Sequence, residues 1–374
     1  MASILQKIFI DHWDNFCLTY NSQIRPIVKH EIDKFIGCKD FRKGYALYIC
    51  PKCDNTHFVP FTCKSRICSS CGSKYQMDRA SFVKAKLINC YHWHIVFTIP
   101  KELRSILAKN RHLLDCLFRA SADVVLFAFY SRNKSNSFTP GIVSAIHTFG
   151  RDLKWNPHIH MLVSKSALGN FKSYRDFEYI NYELLRKSWQ KLLIQYLNFA
   201  SPGIVPRHLT DALYSNNKDG FYVNAPYGKK QNTSVVINYL IRYISKAPIA
   251  QKRILCYDGA FVTFCYDRHE DGQHVEEKVS VFDFIKKIIR HIHEKYFNCL
   301  RYYGVYAKKH HLMNKMVLMF KHEKKTRLLT FKLRCLASFG RNPLRCENCD
   351  EQLDFAYLVR DGTIYFTNHQ INNF

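Results

Sequence analysis

Two Cys-x-x-Cys pairs lie close together in the segment ICPKCDNTHFVPFTCKSRICSSCG, and they restrict the folding of this chain more than any other feature. Cys50 and Cys53 form the first pair, fourteen residues follow, and Cys68 and Cys71 repeat the spacing. A two-residue gap lets two thiolates on one tight turn grip a tetrahedral zinc ion, and a second such pair completes the coordination sphere. Four thiolates leave no open position for chemistry, so the expected Zn²⁺ is structural and its binding is part of folding. Cys38, His57 and Cys63 lie close by, as substitute ligands or as partners of a second ion. A third pair, Cys346 and Cys349, is half a site, which Cys335 and His310 or His311 would complete.

The thiolate reading depends on a reducing compartment. No stretch pairs a positive region with an apolar run as a signal peptide does, and the longest apolar run, 124–130, is far too short to span a membrane. The expected location is the cytoplasm, where the 15 cysteines stay reduced and serve as metal ligands in preference to disulfides.

Charge identifies the class of partner. The chain of 374 residues has 56 Lys and Arg against 30 Asp and Glu, a formal excess of +26 spread along its whole length. An excess of that size on a globular protein points to a polyanion, most often nucleic acid. Apolar residues make up 47%, with 28 Phe and 23 Tyr, so a large core can be buried and disorder is excluded. Lys64, Arg66 and Lys74 surround the cysteine cluster as candidate DNA contacts, with a solvated basic face as the plain alternative.

Three regions separate by composition: 1–90, helical and then cysteine-rich; 91–308, with alternating strand and helix patterns; and 309–374, which opens very basic and ends in the third cysteine pair. Strands are expected over 91–100, 142–150, 158–164, 220–228 and 259–267. Helices are expected over 101–130, 174–198, 235–245 and 282–296. This irregular order implies an α+β layer structure.

Within WNPHIHMLVS, His158 and His160 flank Ile159. Residues two apart on a strand point to one side, so both imidazoles can share a metal while Ile159 enters the core. His147 lies on the preceding strand, and a short reversal through RDLKWNP would bring it beside the pair. Three histidines would leave open positions for a phosphate and water. Asp152 competes with His147 as third ligand. Downstream, VINYLIRYISKAPI holds Tyr239 and Tyr243 one helical turn apart, accompanied by Arg242 and Lys246 as candidate DNA contacts. A buried aromatic stripe is the plain reading. A phenol, with a pKa of about 10, becomes a useful nucleophile toward a phosphate only if a nearby divalent cation polarises that phosphate.

The ordered set CKSRICSSCG, FTIPKELR, HTFGRDLKWNPHIH, YLIRYISKAPI and CLRYYGVYA resembles the rolling-circle transposases of the insertion-sequence ninety-one type, two-tyrosine members of the HUH endonuclease superfamily. The resemblance covers about residues 30–310. It implies an antiparallel sheet flanked by helices, following an N-terminal helical and zinc-ribbon-like module. It implies that His158 and His160 bind Mg²⁺ or Mn²⁺; three-histidine relaxases, more distant relatives, favour His147 as third ligand. It implies that Tyr239 and Tyr243 are the nucleophiles that nick single-stranded DNA at transposon ends, leaving a 5′-phosphotyrosine and passing the strand to target DNA. Such a protein would act at the bacterial nucleoid. Two other readings stay open: a plasmid replication initiator or relaxase of the same chemistry, and a non-catalytic zinc-containing DNA-binding regulator.

Overall fold

In the computed structural model, described over residues 2–131, 138–169, 174–224, 247–268, 270–307, 336 and 342–366, the chain is α+β with three antiparallel sheets and flanking helices. Elements are numbered in chain order.

The chain starts with two helices, α1 (Ile4–Tyr20) and α2 (Pro26–Ile36). Ser3 caps α1 by accepting from the Gln6 amide, and Pro26 at the first position of α2 gives up an amide that no intrahelical bond would use. Ile8, Phe9, Trp13 and Phe16 recur at helical spacing and bury against Ile32 and Phe35. The buried Gln6 side-chain nitrogen donates to the carbonyls of Ile36 and Cys38, 2.8 and 3.1 Å away, and so fixes the exit of α2 where Cys38 stands.

A four-stranded sheet follows, in the order β13–β12–β1–β2, built from β1 (Tyr45–Ile49), β2 (Thr56–Pro60), β12 (Asp354–Arg360) and β13 (Thr363–Tyr365). Its middle pairing joins opposite ends of the chain, with Tyr45 opposite Val359 and Ile49 opposite Asp354. The C-terminal segment and the first cysteine pair therefore share one sheet. Helix α3 (Ser69–Lys86) starts at the second pair.

The central sheet runs β11–β4–β5–β3–β7, with β6 (Tyr174–Asp176) on the end of β5. Its strands are β3 (His92–Thr98), β4 (Thr139–Phe149), β5 (Trp155–Leu168), β7 (Val223–Asn224) and β11 (Leu300–Gly304). Alternation divides its faces. Ile95, Phe97, Ile146, Ile159 and Met161 enter the largest core, against α4 (Lys101–Lys109), α5 (Leu114–Tyr130) and α6 (Tyr182–Ala200). From α6, Leu185, Trp189, Leu193 and Leu197 face the sheet, and the Trp189 indole donates to the Thr98 carbonyl at 2.8 Å. Helix α7 (Arg207–Asn216) follows α6.

The third sheet, β10–β9–β8, consists of β8 (Ile254–Tyr257), β9 (Phe261–Asp267) and β10 (His274–Ser280). With α8 (Val281–Ile289) it shares a core with α1 and α2.

Three expected helices differ from the fold. The helix over 101–130 is broken at Asn110, whose side chain donates to the Ile106 carbonyl and competes with the backbone ladder. The helix over 174–198 begins only at Tyr182, because Tyr174–Asp176 pairs with β5 and Asn181 supplies the cap. The helix over 282–296 stops at Ile289, and Tyr296 has a left-handed φ of 64°. The expected helix over 235–245 lies outside the described residues. No described helix is long and apolar enough to cross a membrane.

Candidate metal centres

The face of the central sheet opposite the largest core carries histidines. Antiparallel pairing puts His147 on β4 directly opposite His158 on β5, and His160 opposite Ala145. The reversal between the strands sets this register. Gly150 donates to the Lys154 carbonyl at 3.1 Å, Leu153 takes a left-handed φ of 61°, and its side chain is buried in the core shared with α1 and α8. His291 secures the same turn from outside the strands: Nε2 lies 3.1 Å from the Leu153 carbonyl and Nδ1 lies 3.1 Å from Thr148 Oγ1. A carbonyl only accepts, so Nε2 donates and Nδ1 receives the threonine hydroxyl.

One ligand atom from each of His147, His158 and His160 falls within 4.8 Å of the other two, a spacing that one ion can bridge. The rings of His147 and His160 have centroids 4.9 Å apart, as do those of His158 and His160. His147 and His160 are buried and His158 is half-buried. Burial pushes the His158 and His160 pKa values below the ordinary imidazole range, and neighbouring histidines push His160 further. These rings are therefore neutral at pH 7, the form that offers a lone pair to a metal. Nδ1 of His158 sits 2.6 Å from the Asn156 carbonyl, so it carries the proton and leaves Nε2 as the donor atom. The donor set suits a divalent transition ion such as Mn²⁺ better than Mg²⁺. Asp152, the competing candidate, instead accepts from the Lys154 amide and pairs with its ammonium, outside this cluster.

A fourth imidazole stands behind the three. His94 on β3 places Nε2 3.0 Å from Nδ1 of His160, with the rings parallel at 5.3 Å. In the sequence this segment reads only as a strand. The available signal was the alternation His92-Trp93-His94, which puts both histidines on the same face as His158 and His160 once β3 and β5 pair.

The cysteines divide differently from the expected arrangement. Cys50, Cys53, Cys68 and Cys71 do not surround one point. Instead Cys68 and Cys71, at the start of α3, join Cys38 and Cys63, while Cys50 and Cys53 join Cys346 and Cys349. The physical reason is the hairpin β1–β2, which carries the first pair away on its own turn. In the first cluster, sulfur–sulfur distances are 3.9 Å for Cys38–Cys68, 3.7 Å for Cys38–Cys71 and 3.6 Å for Cys63–Cys71. A zinc–sulfur bond of about 2.3 Å gives tetrahedral edges of about 3.8 Å. Hydrogen bonds from Cys38 and Cys63 hold Cys68 and Cys71 below the usual thiol range, Cys71 at about 6.

His57 lies on β2 opposite Tyr48 and joins neither cluster. Cys335, His310 and His311 lie outside the described residues, as do Tyr239, Tyr243, Arg242 and Lys246. Lys64 is exposed at a left-handed turn. Arg66 is directed inward: its guanidinium donates to Cys299 Sγ at 2.6 Å and lies over the Tyr75 ring, 5.3 Å from its centroid. That placement ties the cysteine module to the residue that precedes β11.

Comparisons with known proteins all point to transposases. Residues 8–99 match the family described as "Transposase zinc-binding domain", and residues 141–313 match one described as "Putative transposase". The chain is 29% identical over 362 residues to the transposase for insertion sequence element IS801 of Pseudomonas savastanoi pv. phaseolicola, covering 92% of this chain and 87% of that one. It is 24% identical over 286 residues to "Putative transposase y4qJ" of Sinorhizobium fredii, covering 71% of each. No solved structure matches.

Proposed function

Because the chain belongs to the transposases of the insertion-sequence ninety-one type, and so is an enzyme that acts on DNA, we propose that it nicks single-stranded DNA at transposon ends by tyrosine attack and transfers the strand by a rolling-circle-like mechanism. The observation that carries this reading is the cluster of His147, His158 and His160 on the sheet face opposite the core, in register across β4 and β5.

His147, His158 and His160 would hold a divalent cation, Mn²⁺ or Mg²⁺. When bound, that cation polarises a phosphodiester and stabilises the departing oxygen. Tyr239 or Tyr243 supplies the nucleophile. Its phenol oxygen bonds to phosphorus, the bond from phosphorus to the 3′ oxygen breaks, the phenol proton passes to water, and the departing 3′ oxygen takes a proton from water. The products are a 5′-phosphotyrosine and a free 3′ hydroxyl. The covalent link keeps the phosphodiester energy, so the second tyrosine can serve the matching cleavage or strand transfer without ATP. Asn156 and His94 orient the metal-binding imidazoles. Lys and Arg, in large excess over acids, grip the backbone phosphates. Cys38, Cys63, Cys68 and Cys71 hold the structural Zn²⁺ of the matched zinc-binding domain.

The test is incubation with single-stranded oligonucleotides carrying the element's ends and Mn²⁺, followed by a denaturing gel. A slow-migrating covalent band, lost in Tyr239→Phe plus Tyr243→Phe, is the expected result. Absence of that band with Mn²⁺ and with Mg²⁺ would refute the reading.

A further inference from the structure

We propose that Cys50, Cys53, Cys346 and Cys349 bind a second zinc ion, which staples the far end of the chain onto the N-terminal module. The proposal does not depend on the nicking chemistry.

Cys50 Sγ lies 3.4 Å from Cys349 Sγ, and Cys53 Sγ lies 3.6 Å from both Cys346 Sγ and Cys349 Sγ. These separations are close to the edges of a zinc–thiolate tetrahedron, about 3.8 Å, and far beyond a disulfide bond of about 2.05 Å.

The two turns are copies of each other in backbone bonding, though their sequences differ. The first runs Cys50-Pro51-Lys52-Cys53-Asp54-Asn55 and the second Cys346-Glu347-Asn348-Cys349-Asp350-Glu351. In the first, Asp54 donates to the Cys50 carbonyl at 3.0 Å and the Cys50 amide donates to Asn55 at 2.9 Å. In the second, Asp350 donates to the Cys346 carbonyl at 3.0 Å and the Cys346 amide donates to Glu351 at 2.8 Å. Both aspartates are left-handed, with φ of 52° and 56°. Asp tolerates that conformation better than most residues, and it lets each chain double back under its sulfurs. Such a turn also aims backbone amides at sulfur.

Ile49 pairs with Asp354 and with Thr56, so both turns leave the same end of one sheet. Cys50, Cys346 and Leu353 form a small core there, edged by Tyr48. The Asn55 side-chain nitrogen lies 3.7 Å from Cys346 Sγ and adds a cross-contact. The zinc-binding match over 8–99 contains a full four-thiol set in Cys38, Cys63, Cys68 and Cys71. Cys50 and Cys53 are then half a set, and the other half comes from outside the match, nearly 300 residues downstream (299 for Cys50 and Cys349).

Zinc binding here displaces thiol protons to solvent, and the bound ion closes the chain into a loop between its two ends. The small apolar core around Cys50 gives little stability by itself, so the ion is what holds β12 on β1.

The experiment uses the full chain, purified under reducing conditions, with zinc counted as it is released by a thiol-specific mercurial. This detects thiolate-held ions and leaves aside any ion on the histidines. About two zinc ions per chain are expected, one per four-thiolate site. Cys346→Ser plus Cys349→Ser should lose one ion and keep the other. Cys50→Ser plus Cys53→Ser should lose the same ion, so combining all four changes costs no more than either pair. If a variant fails to fold, the unsubstituted chain loaded with Co²⁺ provides a second reading: charge-transfer absorption scaling with two tetrathiolate sites. One thiol-releasable zinc in the parent chain, additive losses, or a Cys50–Cys349 disulfide in the reduced protein would each overturn the proposal.

Discussion

The Nε2 of His94 and the Nδ1 of His160 are 3.0 Å apart, with ring planes within 3° of parallel. For His160 to give Nε2 to a metal, its Nδ1 must carry the proton and donate to His94, so His94 selects the tautomer that ligates. His94→Ala is expected to weaken Mn²⁺ binding by about 10- to 100-fold, a typical loss for a partner behind a ligand. His94→Gln, which keeps an acceptor, should recover part of it. Mn²⁺ titration followed by electron paramagnetic resonance checks this without requiring activity. Equal affinity in His94→Ala would show that the contact does not orient the ligand.

Binding to single-stranded DNA should weaken steeply with salt, because the +26 excess acts on phosphates. The slope of log affinity against log salt is expected to be about −0.7 per phosphate neutralised. Exposed Lys64, changed to Ala, should reduce that slope by less than one contact's worth or by one, while Arg66→Ala should act on stability, since its guanidinium is spent on Cys299 and Tyr75. Fluorescence anisotropy across a salt series, beside thermal melting, separates the two effects.

Much of this was legible in the sequence, in uneven ways. Alternation around Ile159 placed His158 and His160 on one side of a strand, and the short reversal at Gly150 brought His147 opposite. Local spacing was enough because the partners lie close in the chain. The cysteine partition was not legible. Spacing groups neighbours, and Cys50 and Cys53 find their partners through strand pairing between opposite ends of the chain, a long-range choice that no local pattern encodes. His94 was passed over because its role needs the register of β3 against β5. The break at Asn110 and the late start of α6 depend on single side-chain bonds and on the pairing of Tyr174–Asp176.

Acid should destabilise the fold through buried neutral histidines. Burial pulls His291 down to about 3 and His92 to about 4. In the unfolded chain both take up a proton near about 6.5. Below that pH the unfolded state binds more protons, so stability present above about 6.5 is lost as pH falls toward 4. Thermal melting between pH 7 and pH 4.5 should show the decline. It should be shallower in His291→Gln, whose starting stability is lower because the bonds to Leu153 and Thr148 are altered.

Gly141 on β4 is required by Tyr306. A methyl there would lie 2.4 Å from the buried Tyr306 ring, whose hydroxyl accepts from the Ile88 amide and bonds to His92 Nε2 at 2.8 Å. Gly141→Ala should cost about 1–3 kcal/mol by overpacking. Urea unfolding measures it, and a change within error would mean that the ring relocates freely.

The central claim is that a phenol from the segment 239–243 attacks phosphate held at the histidine cluster. Its most direct test is proteolysis of the covalent protein–DNA product, followed by mass spectrometry of the nucleotide-bearing peptide. A 5′-linked nucleotide on Tyr239 or Tyr243 is expected, formed only with divalent metal and lost in His158→Ala plus His160→Ala. A nucleotide on any other residue, or an adduct that forms undiminished without those histidines, would contradict it.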